Sequence, residues 1–295
     1  MKKWDGSLTL STRVRILVSA HSTVLTNRDQ VPMGYSNDGE FGLHLLGTWM
    51  LHRHGVIVHV APRQQRLIAA LAVKGPSLRS HLVGLLWPEY PDAKALESLR
   101  VSMHLVSRQV PGLIVNNGPM LSLCERADVD LHTVRVRLRD FRRVASEVEA
   151  AALLCDLRDA RLLPGWYDDW VVSEQSRLQQ DRLRAFTIIA RQSLDQGHCE
   201  TAGAAAEAAL EIEPLYEAAV QILIEGELKH GNPAAALRNY QRYQKKLEED
   251  MGLQPSDSLT RLVARVLDGQ ARTRKERLVP TNEFRVREKP VFNHT

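Results

Sequence analysis

The sequence predicts a mainly α fold in which a small α+β unit precedes an all-α unit of helical repeats. Three observations carry that prediction. Between residues 41 and 131 the apolar pattern runs sheet, helix, short helix, long helix, hairpin. From Leu138 to Leu267 nearly every stretch has helical periodicity, with no convincing strand. Within that second half, matching residues recur 34 positions apart.

The chain of 295 residues is long enough for two domains with ordinary cores, and its 44% hydrophobic and 25% charged content is that of a globular protein. No run approaches the roughly 18 apolar residues that a membrane span needs, so no membrane association is expected. Asp5, Arg13 and Arg15 interrupt the N-terminus and make it a poor signal peptide. Cys124, Cys155 and Cys199 lie far apart without a CxxC pair, which argues against a disulfide framework or a zinc site and favours a reducing cytoplasm. Charge is uneven: residues 41–131 hold 9 Lys and Arg against 6 Asp and Glu, whereas 132–269 hold 18 against 22. A basic front with an acidic middle fits nucleic acid at one end and a protein partner elsewhere.

Residues 1–40 are an extension in which Leu8, Leu10, Val14, Ile16 and Val18 alternate like a strand before the linker Ser36-Asn37-Asp38-Gly39-Glu40. The first unit spans 41–132. Leu43, Leu45, Trp49 and Leu51, then Val56, Val58 and Val60, alternate about a turn at His52 to Gly55 and predict a hairpin or small sheet. Pro62 opens a helix over Arg63 to Val73, and Lys74-Gly75-Pro76 closes it. Ser77 is placed to cap a short helix over Leu78 to Leu86 that Trp87-Pro88 stops.

The long helix, Ala93 to Val110 with Asp92 as its expected cap, organises this unit. Ala95, Leu96, Leu99, Met103, Val106 and Val110 step by threes and fours and should face a core. Lys94, Glu97, Ser98, Arg100, Val101, His104 and Arg108 remain for the outer face. Such a helix is about 27 Å long, enough to cross a major groove about 12 Å wide. Leu113 to Cys124 then forms two apolar strands about Asn116-Asn117-Gly118-Pro119, a strong hairpin signal. That order is a winged helix-turn-helix, in which two helices present a third to the major groove of DNA. Lys94, Ser98, Val101 and His104 would meet base edges, with Glu97 and Arg100 at the sides. Arg63, Arg79 and Arg108 would contact phosphates, together with Asn116 and Asn117 at the wing tip.

The run from Leu45 to Leu131 resembles the OmpR-type winged helix of the SARP transcription activators (the Streptomyces antibiotic regulatory protein family). The resemblance rests on LLGTWML, PRQQRLIAALAV, LVGLLWPE, ALESLRVSMHLVSRQVPG and the wing NNGPMLSL. Two departures stand out: Gly118-Pro119 replaces the usual Gly-Tyr of the wing, and Val106-Ser107-Arg108 replaces the usual Leu-Arg.

In the second unit, 138–268, Gly197 pairs with Gly231, Ala202 with Ala236, Ala206 with Tyr240 and Ala209 with Tyr243 at the 34-residue period of tetratricopeptide repeats. Pro214, Asn232-Pro233, Gly252 and Pro255 punctuate the repeats. LLPGWYDDWVVSEQSRL, EIEPLYEAAVQ and DMGLQPSDSL resemble the bacterial transcriptional activator domain that follows the winged helix in the same family. The polar, basic tail 269–295 is expected to be disordered.

Catalytic signatures are missing: Gly42 and Gly47 lack the lysine of a phosphate loop, and HExxH, GxSxG and GxGxxG do not occur. His52 and His54 lack acidic or Cys partners in the sequence, so no metal, cofactor or catalytic residue is expected. Asp168-Asp169 reads as a helix start. The resemblance implies a cytoplasmic, nucleoid-associated regulator, most simply an activator, that binds double-stranded promoter DNA as a homodimer. Its helical half would dimerise, contact RNA polymerase or bind a ligand. Two rival readings are a repeat-based protein adaptor without specific DNA binding and a ligand-sensing regulator.

Overall fold

The computed structural model describes residues 40–141 and 146–265; apart from Glu40, the expected extension 1–40 and the tail 269–295 lie outside them. The first half runs β1 (Phe41–His44), β2 (Met50–Arg53), β3 (Val56–Ile57), α1 (Pro62–Lys74), β4 (Ser77–Leu78), α2 (Arg79–Leu86), α3 (Asp92–Gln109), β5 (Ile114–Asn117), β6 (Met120–Leu123) and β7 (Ala127–Val129). Helices follow: α4 (Asp130–Asp140), α5 (Glu147–Arg158), α6 (Asp169–Asp195), α7 (Cys199–Ile212), α8 (Glu217–Lys229), α9 (Pro233–Met251) and α10 over 257–265.

The strands form two sheets, β3-β2-β1-β7 and β4-β6-β5. His54 and Gly55 both have positive φ, 49° and 77°, which is the geometry of a two-residue hairpin turn matched to strand twist. In the second hairpin Asn117 pairs with Met120, leaving Gly118-Pro119 as the turn. Gly118 takes a φ of +64°, which a glycine adopts without strain, and proline follows it comfortably. The departure from Gly-Tyr therefore preserves the wing.

α1, α2 and α3 pack Leu67, Ile68, Leu71, Leu82, Leu86, Leu99 and Val106 against Phe41, Leu43 and Leu51 of the sheet. The same apolar cluster continues without a break through Leu154, Leu157, Phe186 and Ile189 to Ile222. A smaller cluster of Val220, Ile224, Tyr243, Leu247 and Leu259 closes the far end. The two halves thus share one core. Polar links reinforce the junction: Leu46 bridges to Leu162, the Leu163 amide donates to the Leu45 carbonyl at 2.8 Å, and Arg66 pairs with Asp168. Glu174 receives both Lys74, at 2.8 Å, and Arg135, at 2.6 Å.

The repeat period reappears in three dimensions. Gly197 and Gly231 both take positive φ, 88° and 74°, just before α7 and α9. Ala202 and Ala236, one period apart, are both buried where these helices cross their neighbours.

Four local expectations are corrected, the last of them among the expected DNA contacts below. Ser77 does not cap α2: it lies in β4, paired with Leu121, and its Oγ donates to the Gly75 carbonyl, so α2 starts from Leu78 without a side-chain cap. Asp92 is the first residue of α3 rather than its cap, a position held by Pro91. Leu96 is 37% exposed, because the buried arc of α3 is rotated away from it toward the small residues Ser98 and Ser102. Ser102 tolerates burial because its Oγ donates to the Ser98 carbonyl at 2.8 Å within the same helix.

Candidate nucleic-acid interface

α3 buries Ala95, Ser98, Leu99, Ser102 and Val106. Successive residues turn by 100°, so that choice fixes which residues face outward. Lys94, Glu97, Val101, His104 and Arg108 are exposed and fall within one arc, with exposed Arg100 at its edge. Ser98 is the exception among the expected contacts. It is only 6% exposed, on the side of Ala95, and is unavailable to a base edge.

Neighbouring side chains hold this face. The Lys94 ammonium sits 4.3 Å from the centre of the Tyr90 ring. Such a contact restrains a flexible lysine without removing its charge. Arg63, at the start of α1, is stationed 5.7 Å from the Trp87 ring centre. Glu97 lies 3.4 Å from Arg100 on the same helix face, a solvated pair that leaves both groups accessible. Tyr90 was not among the expected site residues, although its place four residues before Lys94 is the signal that could have found it.

The wing is fixed to α3 by Arg79. Its Nε donates to the Gly118 carbonyl at 2.9 Å, one Nη donates to Asn116 Oδ1 at 2.9 Å, and the other reaches Met103 Sδ at 3.3 Å. The Arg79 amide also donates to the Pro119 carbonyl at 2.9 Å. One guanidinium therefore joins the first turn of α2, the middle of α3 and the wing tip. Arg79, expected among the phosphate contacts, is bonded here to the wing and to α3. Asn116 and Asn117 stand exposed at the tip it holds.

Among the described residues no group of three or more His, Cys, Asp or Glu side chains is placed to hold a metal ion. His44 and His52 meet edge to face with ring centres 5.2 Å apart. Asp130, 3.7 Å from His44, is committed to backbone amides of Leu45, Leu46 and Leu131. No described helix is long and apolar enough to cross a membrane.

Comparison with known proteins agrees with this architecture. Residues 121–267 match the bacterial transcriptional activator domain. The chain is 25% identical over 254 residues to regulatory protein AfsR of Streptomyces coelicolor, a match covering 81% of this chain and 25% of that protein. It is 25% identical over 225 residues to regulatory protein AfsR of Streptomyces griseus, covering 70% and 22%. The chain thus spans about a quarter of the length of these curated relatives. A solved structure of Mycobacterium tuberculosis EmbR in complex with a low affinity phosphopeptide superposes with a TM-score of 0.59 at 20% identity, over 78% of this chain and 66% of that one. That likeness concerns the fold. With an activator domain built onto the core of a winged helix, this chain is similar to the SARP-type transcriptional regulators.

Proposed function

We propose that the chain is a sequence-specific DNA-binding regulator, acting as an activator, that inserts α3 into the major groove of promoter DNA and sets its wing against the adjacent backbone. In this reading residues 41–132 contact DNA. Residues 138–268 dimerise the protein on its site and contact RNA polymerase, and its place of work is the nucleoid in the cytoplasm.

The observation that carries the reading is the Arg79 clamp, which bonds the wing tip to α3 beside its exposed face. That surface presents Lys94, Arg100 and Arg108, with Glu97 the acid among its expected contacts. Lys94, Glu97, Arg100, Val101 and His104 take the positions for base contact; Arg63, Arg108, Asn116 and Asn117 take those for phosphates.

The test is selection of genomic fragments with the purified chain, followed by binding to enriched sites across a salt series. A short repeat should emerge, and log affinity should fall with log salt at a slope of about −0.9 per neutralised phosphate. No enrichment together with weak, salt-independent binding would sink the proposal and leave the adaptor reading.

A further inference from the structure

The loop between α5 and α6, residues 160–167, does more than join two helices. It carries the bridge from Leu162 to Leu46 and roofs a pocket of about 200 Å³ against α6. Arg161, Trp166, Tyr167, Gln175, Gln179 and Arg182 supply its polar lining, and among the described residues no Asp or Glu lines it.

Arg182 is the unusual member. It is 6% exposed, yet no carboxylate pairs with it among the described residues. Its Nε donates to the Leu157 carbonyl and one Nη to the Arg158 carbonyl, both at 2.7 Å, capping the C-terminal end of α5. Those bonds leave the other Nη group without a hydrogen bond among the described residues, in a guanidinium that lines the pocket and lies 5.7 Å from the Phe186 ring centre. Burial pushes this guanidinium below its usual range, the nearby Arg161 adds to that, and Asp159 and Glu211 oppose it. Arg161 is exposed and makes no side-chain ion pair among the described residues. Buried cations are normally paired. The contrast within this molecule is direct: in the cleft lined by Lys74, Arg135 and Arg177, Glu174 already meets two of the cations.

We propose that this pocket binds a small anion through carboxylate or phosphate oxygens. Arg161 and Arg182 would meet the charge, while the Gln179 amide and the Trp166 indole would border the remainder. The volume falls below the roughly 300 Å³ at the low end of pockets for drug-sized ligands, so a nucleotide is too large. Because the roof of the pocket also holds Leu45 and Leu46, occupancy would stiffen the link between winged helix and helical half.

Titration calorimetry of the full chain, at ionic strength held constant with chloride, tests this with inorganic phosphate and with benzoate as probes. One or both should bind saturably at one site per chain. Arg161→Glu should weaken binding at least tenfold, whereas Arg177→Glu, in the other cleft, should leave it unchanged. Saturation by phosphate alone would assign the pocket to phosphoryl oxygens, and saturation by benzoate to an apolar carboxylate. Arg182→Met uncaps α5 and so puts the fold itself at risk; Arg161→Glu keeps the test independent of that outcome. Absence of saturable binding by either probe, or equal affinity in Arg161→Glu, would overturn the proposal. None of these results bears on DNA binding.

Discussion

The carboxylate of Asp130 accepts the backbone amide of Leu45 through both of its oxygens, at 3.0 Å each, across 85 residues of sequence. It also receives the amides of Leu46, at 3.0 Å, and of Leu131. This 3% exposed side chain therefore ties the end of β1 to the first turn of α4, where the winged helix hands over to the helical half. Burial raises its carboxyl above the usual range, and the amides it serves pull in the opposite sense.

Asp130→Ala should destabilise the chain by roughly 2–5 kcal/mol, because it strands buried amide donors with no replacement acceptor. Asp130→Asn, which keeps one oxygen, should recover part of that loss. Chemical denaturation followed by circular dichroism measures both. A midpoint unchanged in the alanine variant would show that water serves those amides and that the pin is dispensable.

The rotation of α3 about its axis gives a second check. Leu99 is 1% exposed and Leu96 37% exposed, although the spacing placed both in the core. Leu99→Ala should cost about 2–5 kcal/mol, whereas Leu96→Ala should stay within about 0.5 kcal/mol. Equal losses in thermal unfolding would mean that Leu96 is packed as deeply as Leu99.

These cases show what could be read from the sequence. The order of elements and the wing turn were legible because each depends on residues near one another in the chain, and the 34-residue period because the same residue types recur at a fixed spacing. Gly197 and Gly231 mark helix ends by their own backbone preference. Ser98 was misplaced on the outer face because a small polar residue reads as exposed. Its burial depends on the rotation of the helix against close neighbours, which only the fold supplies. The sequence singles out Arg79 but not its bonds to the wing, since those partners lie 37 and 39 residues away in the chain. The Asp130 pin has backbone amides as partners, and these carry no residue-type signature at all.

The outer face of α3 can be separated from the buried one by binding. Lys94→Ala and Arg100→Ala should each weaken specific binding by about 1–3 kcal/mol if they read bases. Ser98→Ala should leave affinity unchanged. Fluorescence anisotropy on a selected site reads all three. Intact binding in both cation variants, with the fold preserved, would remove α3 from the interface.

Arg79→Ala should loosen the wing tip rather than unfold the unit, since the bonds it loses are exposed or only partly buried. The expected signature is weaker DNA binding together with faster amide exchange at Gly118 and its neighbours. If affinity falls but exchange at the wing is unaltered, Arg79 acts as a phosphate contact instead of a clamp.

The far end of the helical half offers a pH test. The Tyr243 hydroxyl donates to Glu217 Oε2 at 3.2 Å, and Glu217 also receives the Ser256 amide at 3.0 Å, so the pair joins α8, α9 and the approach to α10. Burial, with the Glu217 charge beside it, pushes the Tyr243 phenol up from 10.0 to about 12. A phenol whose folded pKa exceeds its unfolded value favours the folded state while protonated. Its contribution is therefore complete below pH 10 and is lost as pH rises from there to about 12. A tenfold change in proton affinity is worth about 1.4 kcal/mol, so the loss over that window is roughly 2–3 kcal/mol at most. Tyr243→Phe removes the ionising group and its hydrogen bond together, so it should be less stable than the parent at neutral pH. It should also lose less stability than the parent between pH 10 and about 12. Denaturation midpoints for both proteins across that range decide it: parallel alkaline losses would mean that Tyr243 ionises in the folded protein as readily as in the unfolded chain.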